Sequence, residues 1–186
     1  MKSNIKIISA LQQEWNGGEH PNLYISGCGK VNAAMVTMEI IKDMEVSCEQ
    51  VTTIINYGTA GSTTGVTGLV DCTKFHQRDM DVRPLGFKIG ETPFDYGPSV
   101  IDFSWVDNPI GKHLSCGTGD SFVTSGDGIE TDVVDMEAYA IAKICDVYGI
   151  EFISYKYITD DGNPDDWKEN CSKGIKEFKE LLKEYY

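Results

Sequence analysis

Residues 51–61 read Val-Thr-Thr-Ile-Ile-Asn-Tyr-Gly-Thr-Ala-Gly, and this stretch decides the fold. Its first six residues are mostly apolar or β-branched, which predicts a buried strand. Residues 58–68 are small and rich in glycine, which predicts a loop whose backbone another group can approach closely. A buried strand that gives way to such a loop is typical of an α/β sheet, where ligands bind beyond the carboxyl ends of the strands.

Shorter strands and helices alternate on both sides of this stretch. Strands are predicted over residues 5–10, 23–26, 69–75, 113–116, 132–134 and 152–158. Apolar residues at helical spacing predict helices over residues 31–44, 136–148 and 165–186. Residues 76–112 hold several Gly and Pro, which predicts mainly irregular chain with one or two short strands. The alternation predicts the α/β class, with helices on both faces of a central sheet, and a single domain over residues 1–186.

The charge of the chain excludes several kinds of partner. Asp and Glu number 29 against 16 Lys and Arg, a formal net charge of −13, and the only arginines are Arg78 and Arg83. Nucleic acids and anionic membranes bind to basic surfaces, so neither is an expected partner. No apolar run reaches the ~18–20 residues of a membrane span, and the first residues show no secretory signal pattern. We therefore expect a cytoplasmic protein.

The six cysteines are dispersed along the chain, and no two of them have the spacing of a zinc cluster. Dispersed cysteines in a chain without a signal sequence predict reduced thiols rather than disulfides. The three histidines are also scattered, so no metal site is predicted.

Three acidic residues fall at the carboxyl ends of predicted strands: Glu14, Glu137 and Asp160. Each has an ordinary interpretation when taken singly. Glu14 would be a solvated loop acid, Glu137 an acid in the first turn of a helix, and Asp160 the cap of a turn. Their joint placement instead indicates one shared cleft, because strand ends meet at one edge of an α/β sheet.

Six segments carry a recognisable pattern. They are Ser-Ala-Leu-Gln-Gln-Glu at 9–14, Gly-Cys-Gly-Lys-Val-Asn-Ala-Ala at 27–34, Ile-Asn-Tyr-Gly-Thr-Ala-Gly at 55–61, Gly-Asp-Ser-Phe-Val at 119–123, Val-Asp-Met-Glu-Ala at 134–138 and Ile-Thr-Asp at 158–160. In this order they resemble the motifs of the 5′-methylthioadenosine/S-adenosylhomocysteine nucleosidases of the nucleoside phosphorylase superfamily. The resemblance implies a three-layer α/β/α fold with a mixed, partly barrel-like sheet. It also implies a purine nucleoside as ligand, a homodimer or dimer-based assembly, and no metal or organic cofactor.

The same resemblance implies a reaction, cleavage of the bond between purine and sugar. Asp160 would be the general acid at N7 of the purine, and Glu14 the base that orients and deprotonates water. Glu137, ionised, would accept hydrogen bonds from the ribose hydroxyls and stabilise the oxocarbenium-like transition state, as carboxylates do in glycosidases. An acid in the role of Asp160 must hold a proton near neutral pH.

The resemblance also assigns substrate contacts. Phe122 would stack on the base, and the backbone of Val123 would bind its edge. Met136 would pack under the sugar, and the ribose and water side would be lined by Thr59, Ala60 and Gly61.

Two departures from the family pattern leave alternatives open. The spans 14–23 and 102–117 are abbreviated, and these spans help to form the pocket for the 5′ substituent and the subunit contact. Where phosphorylases of this fold bring arginines near the sugar, this chain has Gln12, Gln13 and Tyr57, which favours water over phosphate as nucleophile. A phosphate-dependent phosphorylase and a non-catalytic nucleoside-binding protein are the alternatives. The polar run at 76–81 borders the pocket, reaches a partner subunit or is a solvated loop.

Overall fold

A computed structural model describes residues 4–47, 51–95, 97–124 and 130–186. The strands of this part of the chain are β1 (Ile5–Ser9), β2 (Leu23–Ile25), β3 (Thr53–Ser62), β4 (Leu69–Gln77), β5 (Val100–Asp102), β6 (Leu114–Thr118), β7 (Val133–Asp135) and β8 (Glu151–Asp160). Its α-helices are α1 (Lys30–Ser47), α2 (Ala138–Tyr148), α3 (Pro164–Asn170) and α4 (Ile175–Tyr185), and Arg83–Leu85 form a 3₁₀ turn. No helix among them is both long enough and apolar enough to span a membrane.

The sheet closes on itself. Strand β3 pairs with β7, β7 with β6, β6 with β4, and β4 with β8, which pairs back with β3. These five strands form a closed ring of mixed parallel and antiparallel pairs, while β1 and β2 extend the sheet from β3 and β5 extends it from β4. The prediction of a mixed, partly barrel-like sheet flanked by helices is therefore confirmed.

The strand at the centre of the fold runs further than predicted. Strand β3 continues through residues 58–62, so the prediction of a loop starting at Gly58 is wrong. The physical reason is its pairing with β8, which continues in parallel register from Thr53 opposite Glu151 to Gly61 opposite Asp160, with one bulge. The close approach predicted for this stretch is real, since a Cβ atom at position 58 would lie 3.3 Å from Glu14 Oε1.

The C-terminal helix predicted over residues 165–186 is in fact two helices. The chain between them passes against β8 so closely that a Cβ atom at Gly174 would lie 2.2 Å from the ring of Tyr157. The first helix begins at Pro164 and is capped by the Asn163 side chain, which accepts a hydrogen bond from the Asp165 N–H. The break separates the roles of the two helices, because α4 packs into the core whereas α3 faces the strand ends.

The apolar face of α4 packs on β3 and β8. Phe178 stacks on Tyr57 with ring centroids 4.2 Å apart and also contacts Trp15 and Tyr155. Side chains alternate along a strand, so the next residue of β8, Lys156, points to the opposite side of the sheet. This alternation places Lys156 on the side of the sheet where it meets Asp135, the last residue of β7.

Candidate active site

The carboxyl ends of β1, β3 and β8 meet at one cleft, which has ≈ 770 Å³ of empty space including its open mouth. All nine residues predicted to form the site line it: Glu14, Thr59, Ala60, Gly61, Phe122, Val123, Met136, Glu137 and Asp160. The structure adds residues that were not predicted, among them Cys28, Asp135 and Trp167, and it places Arg78 of the polar run at 76–81 in the lining as well. In the part of the chain that the structure describes, no group of three or more His, Cys, Asp or Glu side chains is arranged to hold a metal ion.

Glu14 is buried, at 3% exposure, and is not a solvated loop acid. One carboxylate oxygen accepts hydrogen bonds from the Ser9 hydroxyl (3.1 Å) and the Leu11 N–H (3.0 Å). The other accepts from the N–H and the hydroxyl of Thr59, both at 2.8 Å. Four donors from the ends of β1 and β3 therefore hold the carboxylate in one orientation toward the cleft.

Trp167, on α3, fixes the orientation of the Thr59 hydroxyl. Its indole N–H donates to Thr59 Oγ1 at 3.0 Å. A hydroxyl group has one proton to donate, and here that proton goes to Glu14. The sequence predicts Trp167 only as part of a helix, and the Asn163–Pro164 pair just before it is a local signal for the start of α3 but not for the contact with Thr59.

Glu137 is also buried, at 6% exposure; it is the N-cap residue of α2, not a residue of its first turn, and its side chain makes no capping hydrogen bond. Its carboxyl oxygen accepts a hydrogen bond from the Gly29 N–H at 2.8 Å, just before α1 begins. Burial and the charge of Asp135 raise the pKa of Glu137 to about 7, although Lys156 and the Gly29 N–H oppose the shift. The carboxyl that the resemblance implies to be ionised thus keeps its proton to a higher pH than an exposed glutamate does.

Lys156 lies beneath Glu137 and was not predicted from the sequence. Its side chain is 1% exposed, and its ammonium group lies 2.7 Å from Asp135 Oδ2. Burial disfavours a charge on Lys156, but the Asp135 and Glu137 carboxyls outweigh burial and raise the pKa of this lysine. The result is a buried positive charge directly behind the acidic wall of the cleft.

Asp160 is half-buried, and its carboxylate has two donors close in sequence. The Thr159 hydroxyl donates to one oxygen at 2.8 Å, and the Gly162 N–H donates to the other at 2.9 Å. The turn-cap interpretation is therefore correct, and the same carboxyl also lines the cleft. A Cβ atom at Gly61 would lie 3.2 Å from Asp160 Oδ1, so this strand position has little room for a side chain.

Phe122 and Val123 form another wall, with the Phe122 ring 44% exposed. The polar run at 76–81 borders this wall through Arg78, which is 2% exposed. Further along that run, Asp81 forms a surface ion pair with Arg83. Of the three interpretations of this run, the first is correct for Arg78, because Arg78 borders the pocket.

Comparison with known proteins identifies the family. A curated 5′-methylthioadenosine/S-adenosylhomocysteine nucleosidase from Haemophilus influenzae (strain PittGG) is 30% identical over 169 residues, covering 78% of this chain and 70% of the relative. The chain belongs to the 5′-methylthioadenosine/S-adenosylhomocysteine nucleosidase family. The model of the phosphorylase superfamily also matches residues 121–186, which contain Phe122, Glu137 and Asp160.

Solved structures show the same fold as this nucleosidase-family chain. An S-adenosylhomocysteine nucleosidase from Streptococcus pyogenes, in complex with 5-methylthiotubericidin, aligns with a TM-score of 0.75 and 21% identity. That alignment covers 96% of this chain and 93% of the other. A futalosine hydrolase mutant from Helicobacter pylori aligns with a TM-score of 0.78 at 17% identity and 96% coverage of both chains. This chain and the two solved structures thus share one fold over nearly their whole length.

Proposed function

We propose that this protein hydrolyses the N-glycosidic bond of an adenine nucleoside, such as 5′-methylthioadenosine, S-adenosylhomocysteine or 5′-deoxyadenosine. The observation that carries the proposal is the convergence of Glu14, Glu137 and Asp160 on one cleft in a member of this family. The names of the curated relatives, which are 5′-methylthioadenosine/S-adenosylhomocysteine nucleosidases, support the choice of an adenine nucleoside.

In the proposed reaction, Asp160 gives its proton to N7 of the purine, and the bond between the base and C1′ breaks. The sugar becomes oxocarbenium-like, and the ionised Glu137 stabilises the positive charge. Water adds to C1′ and loses a proton to Glu14, so that free adenine and the sugar are the products. Glu14 suits this role by its position, because it lines the cleft and its hydrogen bonds fix the orientation of its carboxylate.

The base and the sugar are placed by the walls of the cleft. The exposed ring of Phe122 supplies a stacking surface for the purine, and the backbone of Val123 supplies donors and acceptors for its edge. Met136 packs under the ribose, next to Glu137. Thr59, Ala60 and Gly61 of β3 line the side from which water attacks.

Water is the proposed nucleophile because the wall around the sugar is acidic. Glu14 and Glu137 line it, and a phosphate ion would meet negative charge there, while the arginine of the cleft, Arg78, is bonded to the backbone of the segment before Phe122. The deciding experiment is chromatography of adenine and sugar released from 5′-methylthioadenosine, with and without phosphate. Hydrolysis gives free 5-methylthioribose at a rate that phosphate does not change. Strict dependence on phosphate, with a sugar 1-phosphate as product, would identify a phosphorylase instead.

The raised pKa of Glu137 predicts a pH dependence. The folded protein holds the proton on Glu137 up to a pKa of about 7, above the ordinary value of 4.5. Because only the ionised form stabilises the cationic sugar, we expect an acid limb in which kcat/KM falls about tenfold per pH unit as the pH decreases below ~7. A Glu137→Gln variant should be slow and should lack this limb. A flat profile for the wild type between about pH 5 and 8 would contradict the role of Glu137.

The raised pKa of Glu137 also makes the stability of the fold depend on pH. Ionisation of Glu137 is easier in the unfolded chain than in the folded protein. The contribution of this group to stability is therefore fully present below pH ~4.5 and is lost as the pH rises toward 7.

We further propose that two copies associate through α1. Val31, Met35 and Met38 are exposed and lie along one face of this helix. Leu85 and Phe94, in the segment that follows β4, are exposed as well, at 70% and 88%. The helix begins beside the cleft, next to Cys28, so a second copy seated on this face would lie near the mouth of the site. The dimers implied by the family resemblance support this choice of occupant.

A charge on this face is expected to separate the two copies. Met35→Glu should convert a dimer to a monomer in light scattering at micromolar concentration, because burying the new carboxylate is costly. Lys183→Glu, which places a carboxylate at an exposed position of α4, should leave the dimer intact. A wild-type protein that is monomeric under these conditions contradicts the proposal.

A cytoplasmic location is also proposed. The five cysteines that the structure describes in this chain carry free thiols, which are typical of a reducing compartment.

A further inference from the structure

Arg78 lies under the wall that is proposed to bind the purine. It is the first residue after β4, and its backbone N–H donates to the Thr118 carbonyl at 2.9 Å, which continues the pairing of β4 with β6. Its side chain is directed inward at 2% exposure. The proposed reaction gives no chemical role to this arginine.

The guanidinium group binds the backbone of the segment that leads to Phe122. It donates to the Gly119 carbonyl at 3.1 Å, to the Ser121 carbonyl and to the Ser121 hydroxyl at 3.3 Å. One planar, charged guanidinium group therefore binds two carbonyls of the same short segment, those of Gly119 and Ser121. The next residues along the chain, Phe122 and Val123, line the cleft.

Residues 119–121 pack tightly against the arginine. A Cβ atom at Gly119 would lie 2.8 Å from Arg78 Cζ and 3.0 Å from Asp79 Cγ, so the backbone lies directly on these two side chains. Asp79 also accepts a hydrogen bond from the Asp120 N–H at 2.9 Å. The Arg78–Asp79 pair thus binds residues 119–121 from below.

The start of α1 holds the same segment from another side. Asp120 accepts a hydrogen bond from the Lys30 N–H at 2.8 Å. The Lys30 ammonium group lies 2.5 Å from Asp79 Oδ1 and 3.6 Å from Asp120 Oδ2. Residues 119–121 are therefore held between the end of β4 and the beginning of α1.

We infer that Arg78 is a positioning residue for the purine. Through its hydrogen bonds to Gly119 and Ser121, Arg78 fixes the position and orientation of Phe122 and Val123 in the cleft. The inference rests on the proposed function, since it takes the purine to bind at this wall. A segment that is ordered before binding spares the ligand the cost of ordering it, so the effect falls on affinity for the base. The chemistry at C1′, which depends on other residues, is affected less.

The chain offers a matched set of variants. Arg78→Met removes the fork but keeps an unbranched side chain, and Arg78→Lys keeps the charge but not the planar fork. Arg83→Met is the control, because Arg83 is the other arginine of the chain and pairs with Asp81 at the surface. For each variant we would measure kcat and KM for adenine release from 5′-methylthioadenosine, the dissociation constant of adenine by calorimetry, and Tm.

Arg78→Met is expected to raise KM and the adenine dissociation constant by about tenfold or more, as loss of charge-assisted hydrogen bonds does. Its kcat should fall by a smaller factor than KM rises. Arg78→Lys should lie between Arg78→Met and the wild type, and Arg83→Met should stay within about twofold of the wild type. If Arg78 contributed to stability alone, Arg78→Met would lower Tm, but KM would not rise by a larger factor than kcat falls.

Two results would overturn the inference. One is wild-type KM and adenine affinity in Arg78→Met, and the other is a loss confined to kcat. If Arg78→Met does not fold, Arg78→Lys decides, and wild-type adenine affinity in that variant refutes the inference. A wild-type protein that binds adenine but releases no base from any nucleoside would refute the proposed hydrolysis, while the adenine affinities would still test Arg78.

Discussion

The Asp160→Asn variant is expected to release adenine at least ~10²-fold more slowly than the wild type, because an amide cannot supply the proton that the leaving purine needs. The substitution keeps the local structure. An asparagine oxygen still accepts the Gly162 N–H, so the turn that follows β8 should survive. Adenine affinity, measured by calorimetry, should change far less than kcat measured by chromatography.

Asp161→Asn is the matched control for this experiment. Asp161 is the exposed neighbour of Asp160 in the same turn, and the same change of charge there should leave kcat within about twofold of the wild type. Near-normal turnover in Asp160→Asn would remove Asp160 from the mechanism. Equal losses in both variants would instead indicate an effect of overall charge.

The Lys156→Met variant is expected to lose roughly 3–5 kcal/mol of folding free energy at neutral pH, the usual cost of leaving one member of a buried ion pair alone. The partner left behind is Asp135, whose side chain is fully buried and 2.7 Å from the lysine. The variant should also move the acid limb of kcat/KM to higher pH, because Lys156 opposes the rise in the pKa of Glu137. Urea unfolding at several pH values measures the first effect, and pH profiles measure the second.

The double variant Lys156→Met/Asp135→Asn separates charge from packing. Its asparagine oxygen can still accept the Ala138 N–H, its amide N–H can donate to the Thr118 hydroxyl, and the buried charges at positions 135 and 156 are both gone. We expect it to regain much of the lost stability. If the single and the double variants are equally unstable, the lost free energy comes from the packing of the lysine side chain and not from the unpaired charge.

The fold and most of the cleft could be predicted because local signals agreed with the final structure. Glu14 follows β1 and Asp160 ends β8, and because both strands run parallel to β3 their carboxyl ends share one edge of the sheet. Glu137 follows β7, which runs antiparallel to β3, so this reasoning does not explain its place in the cleft. The six ordered motifs then assigned residues to the two sides of a substrate. Whether those residues perform the assigned steps stays a prediction for the experiments above.

What the sequence did not indicate depends on contacts between distant parts of the chain. Lys156 reads as one lysine in a strand, and only closure of the ring brings it against Asp135. Arg78 reads as part of a polar run, and its place in the cleft depends on pairing between β4 and β6. The two wrong boundary predictions, the loop starting at Gly58 and the single C-terminal helix, have the same origin. The glycines of β3 and the break at Gly174 are fixed by side chains from distant parts of the chain that pack against them.

Closure of the five-stranded ring also limits how this protein can associate. Of the strands that the structure describes, only β2 and β5 lie at an edge of the sheet, and each is three residues long. Edge strands this short are poor templates for strand addition by another chain, and short edges are one way in which natural sheets avoid aggregation. Self-recognition is thereby directed away from the sheet backbone and toward helix surfaces such as α1, where side chains decide which partner binds.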